Sequence, residues 1–252
     1  MDATDKSSGG MVYIKEIETD SEEHRIAEVL KQAGWNADPR NHCVQVLNIL
    51  RDPLDPGMMY MVMPFLRPMD NPPFQHVSEI MDFADQILEV GSSCLLPSKC
   101  PSDLETKTPG IGIFAREGNS SSVRILHPFF ALEFTYLRFD RDCVPANIMM
   151  DGNAMYPNGF HPIKIHCTPD ALDLAEHTSR SVSGAKYYFV DFGLSSYFPD
   201  TTSSKLVTGT DGRDQDPPEL SDTDAYDPFK LDIFIIGNML KRDFCEVSAL
   251  RR

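Results

Sequence analysis

A lysine inside an apolar run, a glutamate eight residues later, an aspartate followed five positions on by an asparagine, and an aspartate closing a second apolar run stand in this order along the 252-residue chain. They are Lys15, Glu23, Asp142, Asn147 and Asp191. Together they supply the parts that phosphoryl transfer asks of a protein, which are charge neutralisation, metal ligation and a base rather than covalent catalysis. Lys15 could hold nucleotide phosphates with Glu23 fixing its ammonium. Asp142 could accept a hydroxyl proton, and Asn147 and Asp191 offer oxygen ligands to a divalent cation. Each also has an ordinary reading: a solvated strand-end lysine, an Asx-rich turn leading into a strand, and a capped turn. The spacing of Lys15 to an inward-facing Glu23 favours the chemical one.

The elements that must position these groups follow from local pattern. Residues 11–17 have the apolar, β-branched character of a strand, with Gly9 and Gly10 as punctuation before it. Thr19-Asp20-Ser21-Glu22 is a capping box, and Ile26, Ala27 and Leu30 form a helical stripe. Glu23 precedes these three by three, four and seven positions, so its carboxylate lies beside the buried face and needs a partner. Residues 43–50 and 58–66 predict two more strands, the second limited in pairing by Pro64. Val77, Ile80, Met81, Ala84, Ile87 and Leu88 predict an amphipathic helix of about four turns. Residues 91–130 carry neither period and read as an insertion, because joining Val90 to Ala131 lets residues 131–134 continue the helical stripe without a phase break. A strand and turn over residues 147–152 precede a long segment, 153–185, rich in turn signals. A strand at 186–190 then delivers Asp191. A Ser/Thr-rich loop is expected over 195–210 and an apolar helix, interrupted by Gly237, over 231–240.

Lys15, Glu23, the loop Arg141-Asp142-Cys143-Val144-Pro145-Ala146-Asn147 and Asp191-Phe192-Gly193 are similar to the protein-kinase signature set. Pro217-Pro218-Glu219 resembles the Ala-Pro-Glu that closes the kinase activation segment. Asp232 to Gly237 resembles the Asp-x-x-x-x-Gly of the central buried helix. The phrases at 147–151, 155–162 and 211–214 look like a kinase-like group expanded in mushroom-forming fungi. The resemblance covers residues 12–246 apart from the insertion. It implies an α+β, two-lobed protein-kinase-like fold, with a disordered tail over 1–10, a partial sheet-bearing lobe over 11–66 and a partial helical lobe over 67–252 containing the insertion 91–130. It implies transfer of the ATP γ-phosphate to a protein hydroxyl of Ser or Thr, with ATP and Mg²⁺ as cofactors. Lys15 and Glu23 would orient ATP, Met63, Phe65 and Leu66 would be gatekeeper and hinge, Asn147 and Asp191 would hold Mg²⁺, and Asp142 would be the base. Arg141 would pair with a phosphate on the 195–210 loop.

The chain departs from that pattern at several points. It has no G-x-G-x-x-G, Asp140 stands where the family has His, and Val144 stands where kinases acting on Ser or Thr carry Lys, which leaves the acceptor class open. The family's later helices are not present after residue 252, so a chain truncated at both ends is the expectation. The alternative is a catalytically impaired pseudokinase that serves as a binding module. A small-molecule phosphotransferase shares the Asp-x-x-x-x-Asn loop but not Asp-Phe-Gly followed by Pro-Pro-Glu. A net charge of −15 without a basic cluster argues against nucleic acid. Six cysteines without C-x-x-C spacing predict reduced thiols. With no signal-peptide pattern and no span of about 20 apolar residues, a cytoplasmic or nuclear location without membrane contact is expected.

Overall fold

The computed structural model describes residues 1–32, 41–93, 95–97, 134–139, 142–198 and 205–246. The architecture is α+β, with antiparallel sheets and a few helices. The first sheet has the order β1-β2-β4-β3, formed by Asp2–Thr4, Met11–Glu18, Met58–Pro64 and Asn48–Arg51. In its central pair Lys15 stands opposite Met61 and Ile17 opposite Met59. Directly opposed side chains share a face, so Lys15 belongs to the row that holds the buried Ile17, Met59, Met61 and Met63.

Helix α1, Glu22–Leu30, packs against β2. Its N-cap is Ser21, whose hydroxyl accepts the backbone N–H of His24, and Glu22 and Glu23 complement the positive end of the helix. Its buried residues are Glu23, Ile26, Ala27 and Leu30, the stripe that the sequence spacing predicts.

The first ten residues are not a disordered tail. Asp2 to Thr4 pair with Tyr13 to Met11, and the turn between the strands closes on Asp5. The Asp5 carboxylate accepts the backbone N–H of Ser7 and the hydroxyls of Ser8 and Ser7, which pulls its pKa down to about 2. Gly9 adopts φ +71, which lets Gly9 N–H reach the Asp5 carbonyl at 2.8 Å. Hydrogen bonding thus compensates for the low apolar content of this segment.

Residues 43–47 are extended but are not part of β3. Cys43 bridges Phe189 in parallel, Val44 N–H donates to the Phe189 carbonyl at 3.0 Å, and Leu47 N–H to that of Val62 at 2.8 Å. The segment therefore ties the first sheet to a second of order β5-β8-β9, formed by Arg67–Pro68, Ile148–Asp151 and Lys186–Phe189. Two helices cover this region. Helix α2, Val77–Ser93, packs on β9, on the one-turn helix α3, Arg180–Ser183, and on helix α4, Pro228–Leu240. The latter starts three residues before the apolar pattern because Asp227 caps it through Phe229 N–H and Pro228 suits its first turn. It continues as a π-helix, Lys241–Glu246.

Two further expectations fail. Phe134 does not extend a helix: it starts β7, Phe134–Phe139, which pairs with β6, Leu95–Pro97, and β10, Ser196–Phe198. Pairing on both edges outweighs the helical phase of the stripe. The 195–210 region likewise contains β10 and β11, Val207–Gly209, the latter paired with β12, Ser221–Tyr226. The remainder of the proposed insertion and residues 131–133 lie outside the described residues. One apolar core runs from Ile17 and Ile26 through Met61, Phe83, Ile148, Tyr187 and Phe192 to Ile235. Among the described residues no helix is long and apolar enough to cross a membrane. Cys43, Cys143, Cys167 and Cys245 form no disulfide with one another.

Candidate functional site

Lys15, Glu23 and Asp191 meet at one point. The Lys15 ammonium donates to Glu23 Oε1 at 2.5 Å and to Asp191 Oδ1 at 2.7 Å, joining residues 8 and 176 positions apart. Glu23 Oε1 also accepts Phe192 N–H at 3.2 Å, so the glutamate holds both the lysine and the backbone that carries the aspartate. Burial disfavours the Lys15 charge, but the hydrogen bonds to Asp191 and Glu23 outweigh it and raise its pKa above the ordinary lysine value. Burial pushes the Asp191 carboxyl up as well. The Lys15 hydrogen bond and charge, helped by Gly193 N–H and the Arg213 charge, reverse that and leave it below the usual carboxylate range.

Asp191 follows β9 with φ 65, a left-handed conformation tolerated by Asp among few side chains. That turn aims the carboxylate back at Lys15. Val190 N–H donates to the Asn147 carbonyl at 2.9 Å, which sets the residue before Asp191 beside Asn147. Asn147 ends a short 3₁₀ turn, Pro145–Asn147, started by a proline at its first position. Its side-chain Nδ2 donates to Asp142 Oδ2 at 2.8 Å and to the Asp142 carbonyl at 3.0 Å. Asp142 is only 7% exposed, and its Oδ1 accepts Arg213 N–H at 2.8 Å.

Four of the proposed chemical groups are thus coupled through side chain or backbone to one strand pair, β8–β9, and Glu23 reaches them from α1. Met63, Phe65 and Leu66 lie farther along β4 and just past its end. Met63 is buried, Phe65 N–H is given to the Met11 carbonyl, and the Phe65 ring packs against Phe160 at 6.0 Å. Among the described residues none of the three hydrogen-bonds to the carboxylates. Arg141 and Asp140 lie outside the described residues, as do residues 199–204 of the Ser/Thr-rich loop.

Three positioning groups carry no role assigned from the sequence. Arg213, seen there only within a family phrase, fixes Asp142. Asp214 beside it is buried and accepts from Asn238 at 3.1 Å and Arg242 at 3.3 Å, with Asp216 also paired to Arg242. This pins residues 213–216 to α4 and the π-helix. The third is Arg67, fully buried in β5, which donates to the Ile165 carbonyl at 2.6 Å and to Asn71, while its guanidinium covers the rings of Tyr156 and Phe160 at 4.3 and 4.4 Å. It organises the 153–185 segment under the strand that leads from Asn147. An isolated arginine in a sequence carries no signal of such a role.

The donor set suits a hard divalent cation. Among the described residues Asp191 Oδ2 and the Asn147 amide oxygen take no hydrogen bond, and both are oxygen atoms at neighbouring strand ends. No group of three or more His, Cys, Asp or Glu side chains forms a metal cluster among the described residues. One or two protein ligands supplemented by phosphate oxygens is the manner in which Mg²⁺ is usually held. A scan against protein-family models finds no match to this chain. A search of curated proteins finds none either.

Proposed function

We propose that this chain is a protein-kinase-like phosphotransferase that moves the ATP γ-phosphoryl group to a protein hydroxyl. The observation that carries the reading is the contact of Lys15 with both Glu23 and Asp191. In protein kinases the strand lysine must pair with a helix glutamate while the Asp-Phe-Gly aspartate serves the metal, and a strand lysine that meets a helix glutamate and Asp191 together supports that reading here. The two-lobed kinase arrangement belongs to this reading, with the first sheet and α1 as the smaller lobe. Lys15 would bind and orient phosphate oxygens. Asp191 and Asn147 would hold Mg²⁺, which supplies charge neutralisation on the phosphates when bound. Asp142 would orient the acceptor hydroxyl and take its proton.

Titration calorimetry and a turnover assay with Mg-ATP test this. Binding by the wild type is expected, with Lys15→Ala and Asp191→Ala each lowering turnover by about 10²-fold or more. A folded wild-type chain with no affinity for Mg-ATP overturns the reading. A second reading, nucleotide binding or partner binding without turnover, is favoured by one specific feature: both Asp142 oxygens are already engaged, by Arg213 and Asn147. Mg-ATP binding without phosphate transfer to any protein substrate is its expected result.

A further inference from the structure

A base with no cation beside the transferring group is incomplete, because charge spreads over the phosphoryl oxygens in the transition state. The position two residues after Asp142 is Val144, buried and apolar, and it contributes no charge there. Another cation stands at the same carboxylate. Arg213 N–H donates to Asp142 Oδ1 at 2.8 Å, and its guanidinium Nε lies 3.9 Å from Asp142 Oδ2. The backbone bond fixes where this residue starts, and the buried Asp214 next to it anchors the segment to α4 and the π-helix. The Arg213 side chain is 60% exposed and is therefore open to an incoming anion. Its charge also acts on Asp191.

We propose that Arg213 is a catalytic residue that binds the phosphoryl group in flight, supplying from the segment before Pro217 the positive charge that Val144 does not. The inference rests on the phosphotransferase reading. In the step concerned the acceptor oxygen forms a bond to the γ-phosphorus and the bond from that phosphorus to the bridging oxygen of ATP breaks. The hydroxyl proton goes to Asp142 and the bridging electron pair stays with departing ADP. Arg213 pairs with the equatorial oxygens, whose negative charge it meets with planar donors.

The test compares affinities for Mg-ADP alone and for Mg-ADP with aluminium fluoride, a mimic of the transferring group, in wild type, Arg213→Ala and Arg213→Lys. Wild type is expected to bind the fluoride complex more tightly than Mg-ADP. Arg213→Ala should keep Mg-ADP affinity and lose about 10²-fold for the fluoride complex, with Arg213→Lys recovering part of it. Unchanged Mg-ADP affinity also shows that the variants are folded. A fluoride preference equal in Arg213→Ala and wild type overturns this inference alone. Equal loss of both affinities assigns Arg213 a structural role and overturns it too. Absence of Mg-ADP binding by the wild type overturns the phosphotransferase reading, and this inference with it.

Discussion

At the residue scale the site is governed by one ammonium shared between two carboxylates. Lys15 alone in a buried row would be costly to keep charged, and Glu23 or Asp191 alone would be a carboxylate against apolar surface. Together they satisfy one another, and the pH dependence follows from the direction of each shift. The Asp191 pKa is depressed in the folded chain, so its contribution is present above the unfolded value of about 3.9 and is lost as pH falls through the folded value. The Lys15 pKa is raised, so its contribution is complete below about 10.4 and is lost as pH rises through the folded value. Asp191→Asn keeps the left-handed turn accessible but removes the titrating group. Urea midpoints measured from neutral pH downward are expected to fall less steeply for this variant than for wild type, and parallel profiles would contradict the assignment. Glu23→Gln keeps size but weakens the hold on both Lys15 and Phe192 N–H. Under the proposed phosphotransferase function it should raise the apparent KM for Mg-ATP by about tenfold or more, a factor worth about 1.4 kcal/mol, as measured by initial rates over a nucleotide series.

At the element scale two local features decide whether those residues meet. Helix α1 is only nine residues long, too short to persist without its cap and its packing. Ser21→Ala removes the bond to His24 N–H and is expected to cost about 1 kcal/mol, read as a shift in denaturant midpoint with unchanged slope. The second feature is the turn at Gly152, after β8. A Cβ there would lie 2.5 Å from Arg67 Cδ. That side chain cannot step aside, because its guanidinium is held by Asn71, Ile165 and two rings. Gly152→Ala is expected to destabilise by about 1–3 kcal/mol, measurable by chemical denaturation. Gly237→Ala should by contrast stabilise by about 0.5–1 kcal/mol, since it lies inside α4 and a Cβ there meets nothing within 4 Å.

At the scale of the whole molecule, charge and apolar surface set the behaviour. With 38 acidic and 23 basic residues the folded chain repels itself, and screening relieves this. The thermal midpoint is expected to rise as salt is increased from low to physiological ionic strength, a change that scanning calorimetry would detect; a falling midpoint would mean that the ion pairs outweigh net repulsion. Helix α4 buries Leu231, Ile235, Ile236 and Met239 against the core, yet Ile233 and Phe234 are partly open to solvent. The helix that the sequence pattern presents as apolar on nearly every side is therefore only half covered among the described residues. Arg67 and Arg180, both buried, act as internal ties. Arg180 reaches Tyr187, the Pro72 carbonyl and the Phe74 ring, linking the segment before α2 to β9.

The sequence by itself determined several of the local elements and the candidate chemical groups. Alternation and helical spacing were enough for β2, β4, α1 and α2, because each buries one face and the period of burial is written in the chain. The stripe of α1 also announced that Glu23 points inward. The contact of Lys15 with Asp191 across 176 positions was decided only by tertiary structure, since it depends on how β9 ends, on a left-handed Asp191, and on the 43–47 segment that couples the two sheets. The same holds for Arg213 on Asp142 and for Arg67 beneath Gly152: a charged residue reveals its partner only when the fold has chosen which surfaces are dry. The first ten residues mark the other limit. The expectation for them is a disordered tail, and side-chain hydrogen bonds around Asp5 support a strand and a turn there.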